Sequence, residues 1–80
     1  MQERRRNADR RQETREALIA AARTLFLEKG YADTGTPELV EAAGLTRGAL
    51  YHHFRDKQAL FAAVVEAEAR AVAQEIEIGS

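Results

Sequence analysis

The sequence predicts an all-α protein of one domain, and three observations support this class. Apolar residues recur at spacings of three and four along two long segments, which is the pattern of amphipathic helices. No segment of the 80 residues shows the alternation of a half-buried strand. Gly30, Gly44 and the single proline, Pro37, fall where helical segments are expected to start or stop.

The first helix is predicted from Arg15 to Lys29. Gly30 follows at once, where a left-handed C-terminal cap is expected. Thr14 can cap the start, although the arginine-rich stretch before it can equally be helical. The apolar stripe that defines this helix consists of Leu18, Ile19, Ala22, Leu25 and Phe26.

The second helix is short and ends in a tight turn. Thr36 and Pro37 predict its N-cap and its first position, and the helix then runs to Ala43. The turn Gly44-Leu45-Thr46 begins with the residue type that permits the positive φ of a sharp reversal. Two short helices joined by such a turn are the pattern of a helix-turn-helix.

Two more helices complete the predicted fold. The third runs from Arg47 to His53, with Thr46 as its N-cap candidate. The fourth starts after Asp56, which is its N-cap candidate, and is long. Its apolar stripe consists of Leu60, Phe61, Val64, Val65, Ala67 or Glu68, Ala71, Val72 and Ile76.

Charge is distributed unevenly along the chain. Residues 1–15 carry six arginines against three acidic residues, a balance of +3, and the other 65 residues carry six basic and ten acidic groups, a balance of −4. A basic arm on an acidic body suggests a polyanionic partner for one end of the molecule. The alternative for such an arm is a solvated, frayed terminus.

Composition and motif content exclude several classes of function. The absence of cysteine excludes disulfides and cysteine zinc sites and fits a reducing compartment. No apolar run approaches the roughly 18 residues of a membrane span, and no signal peptide is recognisable, so we expect a cytoplasmic protein. No G-x-S-x-G, H-E-x-x-H or phosphate-loop motif is present, so we expect no enzyme, metal or cofactor.

The outer face of the third helix carries residues suited to nucleic acid. Successive helical residues are about 100° apart, so an inward-facing Leu50 and Phe54 leave other side chains outside. An arginine there can bind guanine or phosphate, and a glycine lets the backbone approach DNA closely. A tyrosine and a histidine can donate to phosphate or contact a thymine methyl. These outward residues are Arg47, Gly48, Tyr51 and His52.

Flanking residues extend this surface, and some have structural alternatives. Thr36 and Lys57 lie at helix N-termini, which favour phosphate, and a lysine there opposes the helix dipole unless an anion is present. Tyr51 can instead be a partly buried core residue. His52 and His53 are adjacent and project from different sides of the helix, so they make a poor metal pair. His53 can simply pack or hydrogen-bond inside.

The whole pattern resembles the N-terminal DNA-binding domain of the TetR family of transcriptional regulators, over about residues 12–65. The residues that carry the resemblance are Ala21, Ala22, Leu25, Phe26, Gly30, Tyr31, Thr34, Thr36, Leu39, Val40, Ala43, Gly44, Leu45, Thr46, Gly48, Leu50, Tyr51, His53, Phe54, Lys57 and Leu60.

The resemblance implies a three-helix head with the third helix in the major groove. It also implies a homodimer on a roughly palindromic double-stranded DNA operator, and repression relieved by a small-molecule inducer bound in a C-terminal domain. The family's DNA-contact positions fall on Thr36, Thr46, Arg47, Gly48, Tyr51, His52, His53 and Lys57. By analogy with other basic arms, the residues that reach the minor groove would be Arg4, Arg5, Arg6, Arg10 and Arg11.

Members of the family normally continue into a helical ligand-binding and dimerisation domain. We therefore expect a truncated, TetR-like chain: a basic arm at 1–13, a helix-turn-helix domain at 14–56, and a fourth helix at 57–80 that leads to the absent domain. A helical protein–protein interaction module on the same scaffold is the alternative function.

Overall fold

The computed structural model describes the backbone of residues 2–79 and the side chains of residues 10–74. Four helices make up the fold of the described chain: α1 (Gln2–Lys29), α2 (Thr36–Ala43), α3 (Arg47–His53) and α4 (Lys57–Gly79). The predicted all-α class and order of helices are confirmed. None of these helices, over the described residues, has the length and apolar character that a membrane crossing requires.

Helix α1 is longer than the apolar stripe alone predicts. It begins at Gln2, so Thr14 lies in its interior and the predicted start at that residue is wrong. The helical alternative for the arginine-rich stretch is the one observed. Gly30 ends the helix as expected, with φ 89°, and its N–H donates to the carbonyl oxygen of Phe26 at 2.9 Å.

The core lies where all four helices meet, and each helix contributes one fully buried leucine. The core residues are Leu18, Ala22, Leu39, Leu50, Phe54, Leu60, Ala63 and Val64. Truncating a buried leucine to alanine costs about 2–5 kcal/mol, which is a large part of the about 5–15 kcal/mol that stabilises a typical domain. Leu50 and Phe54 therefore fix which face of α3 is turned outward.

The loop between α1 and α2 is fixed by polar contacts, one of which comes from a buried threonine. Thr34 is 1% exposed, and its hydroxyl donates to the carbonyl oxygen of Gly30 at 2.7 Å. The Lys57 ammonium donates to the carbonyl oxygens of Tyr31 at 2.7 Å and Thr34 at 3.0 Å. These bonds attach the loop to the first turn of α4.

Helix α2 begins one residue before the predicted position. Gly35 is the N-cap, and Thr36 and Pro37 are the first two helical residues, so the expected N-cap role of Thr36 is wrong. The Gly35 N–H donates to Glu38 Oε1 at 3.1 Å, which is half of a capping box and favours this earlier start. Proline is still acceptable because its missing N–H falls in the first turn.

Helix α4 has two apolar stripes, and the head covers only one. Leu60 and Val64 are buried as predicted, and Ala63 joins them. A second stripe, which consists of Phe61, Val65 and Val72, is exposed, and Leu27 of α1 is 72% exposed. We call this surface the apolar face; it consists of Leu27, Phe61, Val65 and Val72. The predicted stripe residue Ile76 lies outside the described side chains.

Candidate nucleic-acid interface

The turn between α2 and α3 sets the angle at which α3 leaves the domain. Gly44 has φ 72°, and its N–H donates to the carbonyl oxygen of Glu41 at 3.1 Å. The N–H of Leu45 donates to the carbonyl oxygen of Val40 at 2.8 Å, which closes the end of α2. Thr46 then caps α3, because its Oγ1 accepts the N–H of Ala49 at 3.2 Å. The predicted turn and N-cap are confirmed.

Helix α3 has one buried and one exposed face. Leu50 is 0% exposed and Phe54 5%, as the periodicity predicts. Tyr51 is 49% exposed, so the alternative in which it belongs to the core is wrong. The other outward residues of the prediction, Arg47, Gly48 and His52, are also exposed.

Gly48 is a glycine that the domain itself does not need. It does not have the positive φ that Gly30 and Gly44 have. A Cβ at this position would meet only Thr46 Oγ1, at 3.9 Å, which is ordinary van der Waals contact. Since glycine lowers helix stability by about 1 kcal/mol relative to alanine, the stability of the domain alone would favour alanine at this position.

The two flanking phosphate candidates are half-buried, at the start of α2 and of α4. Thr36 lies in the first turn of α2. The Lys57 ammonium already binds two carbonyl oxygens and lies 4.2 Å from the centroid of the Tyr31 ring. The Lys57 ammonium therefore has partners within the domain as well as a position at the start of α4, where a cation opposes the helix dipole. A phosphate contact through its remaining N–H stays a prediction.

A cluster of basic side chains lies where the N-terminal half of α1 meets the last turn of α3. His53 is half-buried there, with its ring edge-on to His52 at 5.3 Å between centroids. Burial lowers the pKa of His53, and the positive charges of His52, Arg15 and Arg11 lower that pKa further. The Arg15 guanidinium lies 4.9 Å from the centroid of the Phe54 ring. We call these four residues, Arg11, Arg15, His52 and His53, the basic cluster.

Sequence reasoning placed His52 and His53 among the DNA-contact positions and Arg11 in the basic arm, and it missed Arg15. The signal was present, because Arg11 and Arg15 are four residues apart and share one helix face. Arg10 and Arg11 are exposed on α1, whereas the side chains of Arg4, Arg5 and Arg6 lie outside the described residues. Among the side chains that the structure describes, no three His, Asp or Glu residues are grouped as a metal site would require.

Helices α2 and α3 are joined by a tight turn that begins with Gly44, α3 is capped, and its outward face carries polar side chains. This arrangement defines a helix-turn-helix domain. Comparison with known families identifies it further. The family described as "Bacterial regulatory proteins, tetR family" matches residues 18–64. The chain belongs to this family, as its resemblance predicted.

Curated relatives agree with this assignment. The HTH-type transcriptional regulator AcrR of Shigella flexneri is 46% identical over 55 residues, which are 69% of this chain and 26% of that protein. The HTH-type transcriptional repressor BepR of Brucella suis biovar 1 is 45% identical over 53 residues, or 66% of this chain and 25% of that protein. The HTH-type transcriptional repressor AcnR of Corynebacterium efficiens is 38% identical over 63 residues, or 79% and 34%. The chain thus spans about a quarter to a third of the length of these relatives.

Proposed function

We propose that this chain is the DNA-binding part of a transcriptional regulator that acts as a repressor. The observation that carries the proposal is the exposed face of α3, where Arg47, Tyr51 and His52 surround a glycine that the domain does not need. The relatives named as transcriptional repressors support the same reading. In this proposal α3 lies in the major groove, and the missing Cβ of Gly48 allows close approach.

Each residue of the interface has a role that its chemistry suits. Arg47 reads guanine O6 and N7 or binds phosphate, and Tyr51 and His52 bind phosphate or contact a thymine methyl. The residues that flank this face contact the phosphate backbone, which fixes the register of α3 on the duplex. These flanking residues are Thr36, Thr46, His53 and Lys57.

The basic arm contacts phosphates rather than the floor of the minor groove. Residues 2–13 continue α1 as a helix. A helix with its side chains is about 10–12 Å wide, whereas the minor groove of B-DNA is about 6 Å wide. A helical arm therefore lies along the backbone of the duplex, with Arg10 and Arg11 toward phosphate oxygens.

We further propose that the regulator binds as a homodimer to a roughly palindromic operator. Two-fold protein symmetry is then matched by two half-sites about one helical turn apart. Release by a small-molecule inducer is part of the same proposal, with the inducer bound by residues outside this chain.

Selection of bound sequences from a random duplex pool at physiological salt tests the proposal. We expect a two-fold symmetric consensus and an affinity that falls steeply with salt. Arg47→Ala should cost about 1–3 kcal/mol of binding and relax one position of the consensus. Arg70→Ala is the matched control, because Arg70 is an exposed arginine of α4 whose only described ion pair is with Glu66, at 3.8 Å. Equal losses for both variants, or no enriched sequence, would contradict the proposal.

The apolar face favours a second candidate, a protein–protein interaction module. Leu27 is 72%, Val65 51% and Val72 52% exposed. Leu27 lines a pocket with Phe61, and Val65 and Val72 follow Phe61 at helical spacing, so these side chains form an exposed apolar surface of the kind that marks interaction sites. If this is the function, the chain forms a stable hetero-complex that Val65→Glu abolishes, and it shifts no duplex at physiological salt.

A further inference from the structure

The basic cluster brings four cationic or ionisable groups together from two helices that are far apart in sequence. Arg11 and Arg15 come from consecutive turns of α1, and His52 and His53 form the end of α3. The Arg15 guanidinium is held in place by its 4.9 Å contact with the Phe54 ring, which is 5% exposed. The ring of His53 lies 6.4 Å from the same Phe54 ring, between centroids, so Arg15 and His53 are both positioned by one core residue.

The positive charges of the basic cluster disfavour protonation of His53 in the free protein. The groups that act on this imidazole are all basic: His52 on its own helix, and Arg15 and Arg11 on the facing helix. Together with partial burial, they hold the pKa of His53 below its ordinary value of 6.5. The free protein therefore keeps His53 neutral at neutral pH.

An anion beside the cluster reverses this balance. A phosphate within about 4–6 Å favours the charged form of a histidine and offsets its arginine neighbours. The last turn of a helix also favours a cation, because its carbonyl groups carry partial negative charge. Phosphate binding and proton binding at His53 then stabilise each other.

We propose that the basic cluster is a proton-linked phosphate site, at which a backbone phosphate of the duplex is bound by Arg11 and Arg15 and His53 takes up one proton on binding. The inference rests on the proposed function only in taking nucleic acid as the source of the phosphate. Its consequence is that DNA affinity increases as pH falls.

The size of the effect follows from linkage. One proton taken up on binding changes the association constant by about tenfold per pH unit between the pKa of His53 in the free protein and its pKa in the complex. Below the free-protein pKa the dependence disappears, because both states are then protonated. Above the pKa in the complex it disappears again, because neither state is.

Fluorescence anisotropy at constant ionic strength measures this dependence between about pH 5.5 and 8. The probes are a labelled duplex of random sequence and, separately, the duplex recovered by selection. We expect affinity for both to increase toward low pH in the unmodified chain. His53→Gln should flatten the dependence. The adjacent variant His52→Gln should bind more weakly at every pH, because His52 is part of the interface, but its affinity should still increase toward low pH. A dependence that survives in His53→Gln, or disappears only in His52→Gln, overturns the inference.

A titration of the unmodified chain tests the inference without any substituted variant, so it does not depend on whether a variant folds. The ring resonances of His53, followed by NMR, should give a pKa below 6.5 in the free protein and a higher pKa in the complex. An unchanged pKa overturns the inference. If the selected duplex binds with an affinity that does not depend on pH, this site is refuted and the proposed function stands. If affinity for the random duplex depends on pH but selection yields no consensus sequence, the proposed function is refuted and this site stands.

Discussion

Replacing Gly48 with alanine separates the needs of the domain from the needs of its ligand. The position has no positive φ, and an added Cβ meets only Thr46 Oγ1, at 3.9 Å. Alanine is therefore accommodated, and it should raise the free energy of unfolding by about 0.5–1 kcal/mol because glycine loses more backbone entropy on folding. In a domain of this size that is an increase in Tm of about 2–8 °C. The same variant should bind the selected duplex more weakly, because the Cβ occupies the space between α3 and DNA.

Circular dichroism melting and fluorescence anisotropy measure the two effects on one sample. Gly44→Ala is the matched control, since its Cβ also has open space around it but its φ is 72°. That variant should lower Tm, because a left-handed conformation costs a non-glycine residue about 1–2 kcal/mol. The reasoning is refuted if Gly48→Ala lowers Tm, or if it raises Tm and leaves DNA affinity unchanged.

Three further predictions concern the loop between α1 and α2. Thr34→Val should lower stability by about 1–3 kcal/mol, because it removes a buried hydroxyl donor; an unchanged Tm would show that this hydrogen bond contributes nothing. Lys57→Met should lower Tm, through the loss of two bonds to carbonyl oxygens, and also DNA affinity, through the loss of a phosphate contact; a loss of affinity at unchanged Tm would contradict the structural role of the two bonds. The pKa of Glu38 is below 4.5 because of its hydrogen bonds from Lys29 and then from the Gly35 N–H. The folded state thus binds fewer protons, and urea midpoints should fall as pH drops below 4.5, less so in Glu38→Gln.

The core of the fold could be predicted because its signals are local. Each helix has apolar residues at helical spacing, and one leucine of each set is fully buried: Leu18, Leu39, Leu50 and Leu60. The role of Gly44 at the end of α2 could also be predicted, because the turn itself requires a left-handed conformation there, whatever the tertiary packing. Helix boundaries were less predictable. The start of α1 carries no apolar stripe, and the capping half-box of α2 competes with an equally plausible threonine cap one residue later.

The site could be predicted in part, for a related reason. The exposed face of α3 follows from period and from the inward direction of Leu50, so Tyr51 and Arg47 were found. The contacts of Lys57 with Tyr31 and of Arg15 with Phe54 join residues that are 26 and 39 positions apart in the sequence. No pattern within one helix indicates such a contact, so neither the carbonyl partners of Lys57 nor the role of Arg15 can be predicted from the sequence.

Amide chemical-shift mapping of the chain on addition of the selected duplex tests the central claim most directly, namely that the outward face of α3 contacts DNA. We predict that the largest changes fall at residues 46–52, with smaller changes at Thr36 and in the first turn of α4. Changes that are largest along the apolar face, at Phe61, Val65 and Val72, or that are absent at physiological salt, would contradict the account.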